Sequence, residues 1–200
     1  MIHHALQFLT RSLNDHIKKI IESTDDHVFL TNISDGSGIT IPAGAIGVSL
    51  VNIEEERVFK DRRTTFVNNE GIVEHRNPEI KLNLYIMVAA NFQNQDNNDP
   101  TDDYVEGLKQ LSYVIQYFQA QNVFTQDNSP AMAALDPNFK KLVVDFYSYS
   151  FEQMYNFWSV LGNVYLPSVL YKLRLITYQE REAKVIDKPI EKITITDFTQ

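Results

Sequence analysis

The spacing of apolar positions changes several times along this chain, and each change marks an element. Ile2, Leu6, Leu9, Leu13, Ile17 and Ile20 step by threes and fours, which predicts an amphipathic helix over 3–23. A short apolar run at 27–33 leads into a Ser/Gly-rich turn at 34–38. Over 45–56 the period drops to two. Ile46, Val48 and Leu50 alternate against Val51 and Ile53, and the strand runs out into a charged tip, Glu54, Glu55, Glu56 and Arg57. A second strand is predicted at 79–90, with Ile80, Leu82, Leu84, Ile86 and Val88 on one parity. Its other parity (Tyr85, Met87, Ala89) is half apolar, the pattern of a central strand whose second face is partly covered. Thr101 or Asp102 then caps the most regular helix, whose stripe is Tyr104, Leu108, Leu111, Ile115 and Phe118, flanked by Val105 and Val114. Residues 123–138 show no period, and 141–149 alternate again.

The stretch 150–178 is the most informative. Ser150 and Gln153 have the spacing of a capping box, and Phe151, Met154, Tyr155, Trp158 and Leu161 recur at helical intervals behind it. Gly162 stands where a helix takes a left-handed closing residue. After Pro167 the period becomes two. Val169, Tyr171, Leu173 and Leu175 share one face, while Lys172 and Arg174 fall on the exposed parity, either blunting an edge or meeting an acidic partner. A capped helix feeding a strand is a rigid unit and carries no chemistry of its own.

Two segments lack a core pattern. Residues 59–77 carry Arg62 and Arg63, and at this length point to function or to disorder. Weak alternation at 64–67 and 72–75 allows a projecting hairpin turning near 69–71. At the C-terminus a charged tether over 179–188 and Pro189 precede Ile190, Ile193 and Ile195, interleaved with Glu, Lys and Thr. Such a segment is either a frayed end or a strand that adds to a neighbour's sheet edge. The whole reads as one α+β domain over 1–182, a mixed and mostly antiparallel sheet covered by helices, with a projecting loop and an extended arm over 183–200.

Composition narrows the function. Two hundred residues suit one core without metal or disulfide, and there are no cysteines to supply thiol chemistry. A net charge of −8 argues against nucleic-acid partners, which demand a basic patch. No apolar run approaches the ~20 residues of a membrane span, and the N-terminus has no secretory signal pattern. Gly36-Ser37-Gly38 lacks the Lys-Ser/Thr of a phosphate loop, and Ser49 lacks the second glycine of a nucleophile elbow. His3 and His4 are adjacent, so on a helix they are expected to diverge rather than share a metal. Asp96, Asp99, Asp102 and Asp103 lack a calcium loop's glycine and read as a solvated linker with helix N-terminal charge. No catalytic, cofactor or metal residue is therefore assigned. The enzymatic alternative is a small hydrolase or transferase using carboxylates with His27 or His75 in a loop-lined cleft.

Trp158, Ser159, Leu161, Gly162, Pro167, Ser168 and Val169 follow a Trp-Ser-x-Leu-Gly, spacer, Pro-Ser-Val pattern. With the segments 45–57, 78–92 and 104–121 in the same order, this resembles the tail-terminator (cap) proteins of extracellular contractile injection systems, of the antifeeding-prophage and Photorhabdus-virulence-cassette type. The resemblance implies a phage tail-terminator-like fold and a structural subunit of bacterial origin. It also implies a homo-oligomeric ring, a hexamer, at the baseplate-distal end, with inner-tube and sheath subunits as partners and room for a second cap protein. Such a subunit is assembled in the cytoplasm and then belongs to the particle. An adaptor, connector or baseplate subunit of a phage-tail-like particle is the alternative. The family supplies no residue-level site. From pattern alone, ring and tube contacts fall to Glu54, Glu55, Glu56, Arg57, Arg62 and Arg63, and sheath contact to Ile190, Ile193 and Ile195, with Trp158, Gly162 and Pro167 as structural signature.

Overall fold

The computed structural model describes residues 1–36, 38–56, 65–67, 73–75, 81–93, 100–136, 139–161, 165–177 and 184–187. Helix α1 (Ile2–Ile21) buries Leu6, Leu9, Leu13 and Ile17 of the expected stripe and Phe8 beside them; Ile2 is half-buried and Ile20 exposed. It closes on Glu22 in the left-handed region at φ 54°, where the backbone N–H groups of Glu22 and Ser23 both donate to the Lys18 carbonyl.

Strands β1 (Val28–Leu30), β2 (Ala45–Glu55) and β5 (Lys81–Asn91) follow the expected order, with a small hairpin of β3 (Thr65–Val67) and β4 (Val73–His75) between the last two. That hairpin lies where weak alternation had allowed one. Helix α2 (Pro100–Ala120) begins ahead of both residues to which the cap was assigned, Thr101 and Asp102, and these lie in its first turn. Proline is suited to a first helical turn, where its missing N–H is no loss. The span read as patternless holds β6 (Val123–Thr125) and the short helix α3 (Pro130–Leu135), both too brief to show a period. Strand β7 (Phe139–Tyr147), helix α4 (Phe151–Val160), β8 (Ser168–Thr177) and β9 (Lys184–Asp187) complete the chain.

Six strands form one sheet in the order β1-β2-β5-β8-β7-β6, parallel only between β1 and β2. The sheet is thus mixed and mostly antiparallel, as expected. Helices α1, α2 and α3 cover one face, packing on Ile46, Val48, Leu84, Ile86, Val88, Leu173 and Leu175. The opposite face is, among the described residues, covered at one end. There Met87, Ala89 and Leu170 lie under Trp158 and Leu166, beside Ile33 and Ile41 of the 31–44 connection. Toward the other end, Tyr85 is half-buried, so β5 is a central strand with a partly covered second face.

Strand β8 lies between β5 and β7, so Lys172 and Arg174 do not guard an edge. Arg174 instead pairs with Asp145 of β7, its neighbour on the same face, at 2.8 Å. The second sheet is β3-β4-β9. Strand β9 falls inside the stretch read as a charged tether, and it pairs with β4 of its own chain, Val73 opposite Asp187 and His75 opposite Lys184. The expected boundary between 182 and 183 stands immediately ahead of this strand. Ile190, Ile193 and Ile195 lie outside the described residues.

Candidate interaction surfaces

The charged end of β2 is the first expected contact surface. A bulge between Leu50 and Asn52 shifts the register, which turns Asn52, Glu54 and Glu56 toward the side chains of Tyr85 and Asn83. The Tyr85 hydroxyl donates to Glu54 at 3.0 Å, and Asn83 Nδ2 donates to Glu56 at 3.1 Å. Burial, and then the Glu54 carboxylate, push the Tyr85 phenol up to about 12. Glu54 and Glu55 are exposed, and Glu54 and Glu56 are also hydrogen-bonded by β5 of the same chain. Arg57, Arg62 and Arg63 lie outside the described residues.

Trp158 and Pro167 are structural. Trp158 is buried, its ring edge-to-face with Phe157 and Tyr165 at 5.7 and 5.4 Å, and the Pro167 carbonyl accepts from the Ala90 N–H at 3.0 Å. Trp158 packs α4 on the sheet, and Pro167 ties the start of β8 to β5. Gly162 is outside the described residues.

Both long apolar stripes are rotated from their expected phase. On α2 the buried residues are Asp103, Gly107, Gln110, Leu111, Val114 and Phe118, of which Leu111, Val114 and Phe118 join the core under the sheet, while Tyr104, Val105, Leu108 and Ile115 face solvent. The cause is Gly107. Phe92 packs so close that a Cβ added there would sit 3.2 Å from its ring, so the glycine side of the helix faces inward. On α4 the packed set is Met154, Phe157, Trp158 and Leu161, at i, i+3, i+4 and i+7. Phe151 and Tyr155 fall beyond that arc and are 86% and 72% exposed, and Val160 is 87% exposed.

A cleft of about 560 Å³ lies between the C-terminal end of α1 and the first turns of α2. It gathers His27 with Asp102, Asp103, Glu106, Lys109 and Gln110. This is the concave site with histidine and carboxylates that the enzymatic alternative required. The geometry gives it a different character. His27 Nε2 lies 3.0 Å from Ser23 Oγ, which itself accepts from the Asp25 N–H, so the contact closes a turn. Among the described residues the hydrogen bond to the His27 ring comes from Ser23, and none comes from a carboxylate. The His75 side chain is not among those described. His3 and His4, expected to diverge, have ring centroids 3.9 Å apart, and His4 Nδ1 meets Asp136 at 3.1 Å. Among the described residues no three His, Asp or Glu side chains are grouped to hold a metal ion. No helix is long and apolar enough to cross a membrane, again among the described residues.

Among solved structures the fold is similar to the sheath/tube terminator of PVC, an extracellular contractile injection system, in its extended state. The TM-score is 0.52 at 12% identity, covering 94% of this chain and 62% of that one. The tube-terminating cap of the anti-feeding prophage gives a TM-score of 0.47 at 15% identity, covering 92% of this chain and 60% of that one. The chain therefore spans about three fifths of the length of these structures. No match was found among curated proteins. The family model described as the Pvc16 N-terminal domain matches residues 4–192, nearly the whole length, and the chain belongs to that family.

Proposed function

We propose that this chain is a structural terminator subunit of a contractile injection system. It ends inner-tube and sheath growth at the baseplate-distal end of the particle. The observation that carries this reading is the family match over 4–192, which takes in all but the last few residues of the chain. The physical logic is closure. A subunit that buries its sides against copies of itself, and offers no further stacking surface, stops a polymer. The exposed apolar residues of α2 (Tyr104, Leu108, Ile115, in one row) and of α4 (Phe151 and Tyr155 on one side, Val160 on the other) lie on different elements and suit such lateral, head-to-tail contacts. The reading extends to a homohexameric ring, to sheath contact through Ile190, Ile193 and Ile195, and to cytoplasmic assembly before incorporation in the particle.

Electron microscopy of particles assembled with and without the chain tests the proposal. Terminator function predicts density from this protein at the distal end and tails of uncontrolled length without it. Normal tail-length distributions in its absence sink the reading.

A further inference from the structure

The six-stranded sheet ends in a step on each side. At one edge β1 covers only Ile46–Val48 of β2. At the other, β6 pairs with Lys141–Val143 of β7, and the contact ends where the Val144 N–H donates to the Asn122 carbonyl at 2.8 Å. Past that bond the outer edge of β7 has no strand beside it among the described residues. Backbone groups alternate in direction along a strand, so Phe146, two residues beyond Val144, also turns its N–H and C=O away from β8. The same alternation holds in β1. The Ile46 N–H donates to the His27 carbonyl and the Thr31 N–H to the Val48 carbonyl, which directs the backbone groups of Leu30 outward. Val28, the other outward residue, gives its N–H to Asn14 Oδ1 at 3.1 Å. Leu30 and Phe146 are also the exposed apolar residues of their strands, at 41% and 57%. Both lie on the helix-covered face. Leu30 shares its parity with Val28, which is in the core beneath the helices, and Phe146 stands edge-to-face with Tyr171 of that core at 5.6 Å. Beside Phe146 a groove of about 470 Å³ opens between the sheet and α2, walled by Ile115, Phe118, Val144 and Tyr171.

We propose that β1 of a second copy of the chain pairs antiparallel with this edge of β7, Leu30 opposite Phe146, an inference that rests on the self-association proposed above. The outward N–H and C=O of each residue then satisfy those of the other, and the Leu30 side chain enters the groove as an aliphatic–aromatic cross-strand pair. Strand direction agrees. β1 runs parallel to β2, and the three antiparallel pairings from β2 through β5 and β8 leave β7 opposed to both. A copy turned about an axis along the strands therefore brings its β1 antiparallel to β7. Length agrees as well, since the three residues of β1 fit the step that β6 leaves open. The chain's own β1 does not reach. Strands β2, β5 and β8 lie between, which sets β1 roughly 19 Å from β7. Across the sheet Leu30 is level with Val48, Val88 and Val169, one residue beyond the Leu170–Tyr147 pair and so beside Ser148. Pairing with Phe146 thus staggers each sheet by two residues on the next, the kind of offset by which tilted strands close on themselves. One edge meets the opposite edge of the next copy, a head-to-tail contact that repeats into a ring when its rotation closes.

Disulfide trapping in the full chain tests this, because the chain has no cysteine of its own. Opposed residues of a hydrogen-bonded antiparallel pair have Cα atoms about 5.5 Å apart, within the reach of a disulfide, whereas the same two positions within one chain are far beyond it. The double variant Leu30→Cys/Phe146→Cys, oxidised mildly, is expected to give a ladder of covalent multimers on a non-reducing gel. Leu30→Cys mixed with Phe146→Cys should give the mixed dimer and stop there. A second pair of variants reads affinity by sedimentation velocity, with the fold checked by circular dichroism. Phe146→Pro removes the outward N–H and leaves the hydrogen bonds to β8 in place, and Leu30→Lys puts a charge on an exposed edge position. Each should weaken self-association by at least about tenfold, the scale of two lost backbone hydrogen bonds. A double-cysteine variant that associates as the wild type does but yields no ladder overturns this inference and leaves the terminator reading standing. So does wild-type affinity in both edge variants. A wild type that stays monomeric at every concentration, with tube ends present, overturns both.

Discussion

Asn14 stands in the middle of the apolar stripe of α1, and it is buried. Its Oδ1 accepts from the N–H groups of His27 and Val28 at 2.9 and 3.1 Å, and its Nδ2 donates to Asp26 at 2.6 Å. One side chain thus fixes where the chain leaves α1 and enters β1. Asn14→Ala strands two backbone donors, one of them buried, and is expected to lose about 2–3 kcal/mol of stability, read as a lower urea midpoint at unchanged m. The Lys18 hydrogen bond, then that of Asn14, hold the Asp26 carboxyl below its usual range. A depressed carboxyl contributes stability above its unfolded pKa, near ~3.9, and loses it as pH falls through the lower folded value. Wild type should therefore lose more stability than Asp26→Asn between about pH 5 and 3; equal losses would remove Asp26 from the account. Gly47 is a second single-residue constraint. A Cβ there would lie 2.5 Å from both Cγ1 and Cδ1 of buried Ile41. Gly47→Ala should cost about 1–3 kcal/mol, and pairing it with Ile41→Ala should recover part of that loss, a non-additivity visible in a double-mutant cycle.

At the scale of elements, what the sequence revealed depended on whether the packing partner shared its code. The long strands were legible because alternation is local, and α1 because its stripe meets one continuous sheet. The α4 capping box was legible because its two bonds close within four residues: Ser150 Oγ accepts from the Gln153 N–H at 3.2 Å, and the Ser150 N–H donates to Gln153 Oε1 at 2.9 Å. Ser150→Ala should lose about 1 kcal/mol, measured by chemical denaturation, with Trp158 fluorescence reporting the same transition. The buried faces of α2 and α4 were not legible. Hydrophobicity counts Gly107, Gln110 and Asp103 against the core, whereas close packing of Phe92 on Gly107 places them there. The apolar residues displaced by that rotation are the exposed rows. The candidate surfaces were hidden for the same reason, since they appear only once the helix phase is known. The β2 acids were legible as a charged tip, but their tie to Tyr85 and Asn83 depends on a bulge that no periodicity announces.

At the scale of the whole molecule, the two sheets differ in how they are held. The six-stranded sheet has helices on one face and a smaller apolar cluster around Trp158 on the other, and among the described residues its core is built from elements up to β8. The three-stranded sheet joins a short hairpin to a four-residue strand from the end of the chain. A two-stranded hairpin of three-residue strands is marginal by itself, so β9 is what completes it. Chains ending at Ala183 and at Asp187 separate these contributions. Both should unfold with nearly the wild-type midpoint, because the main core is intact in each. Amide exchange should differ: Val73–His75 should be protected in the longer chain and exchange freely in the shorter one, since β4 then lacks its second partner. A large drop in midpoint for the shorter chain would mean that the arm braces the main core. Protection of β4 that survives loss of β9 would mean that the hairpin is held from elsewhere, and that its pairing with the arm does not organise this end of the molecule.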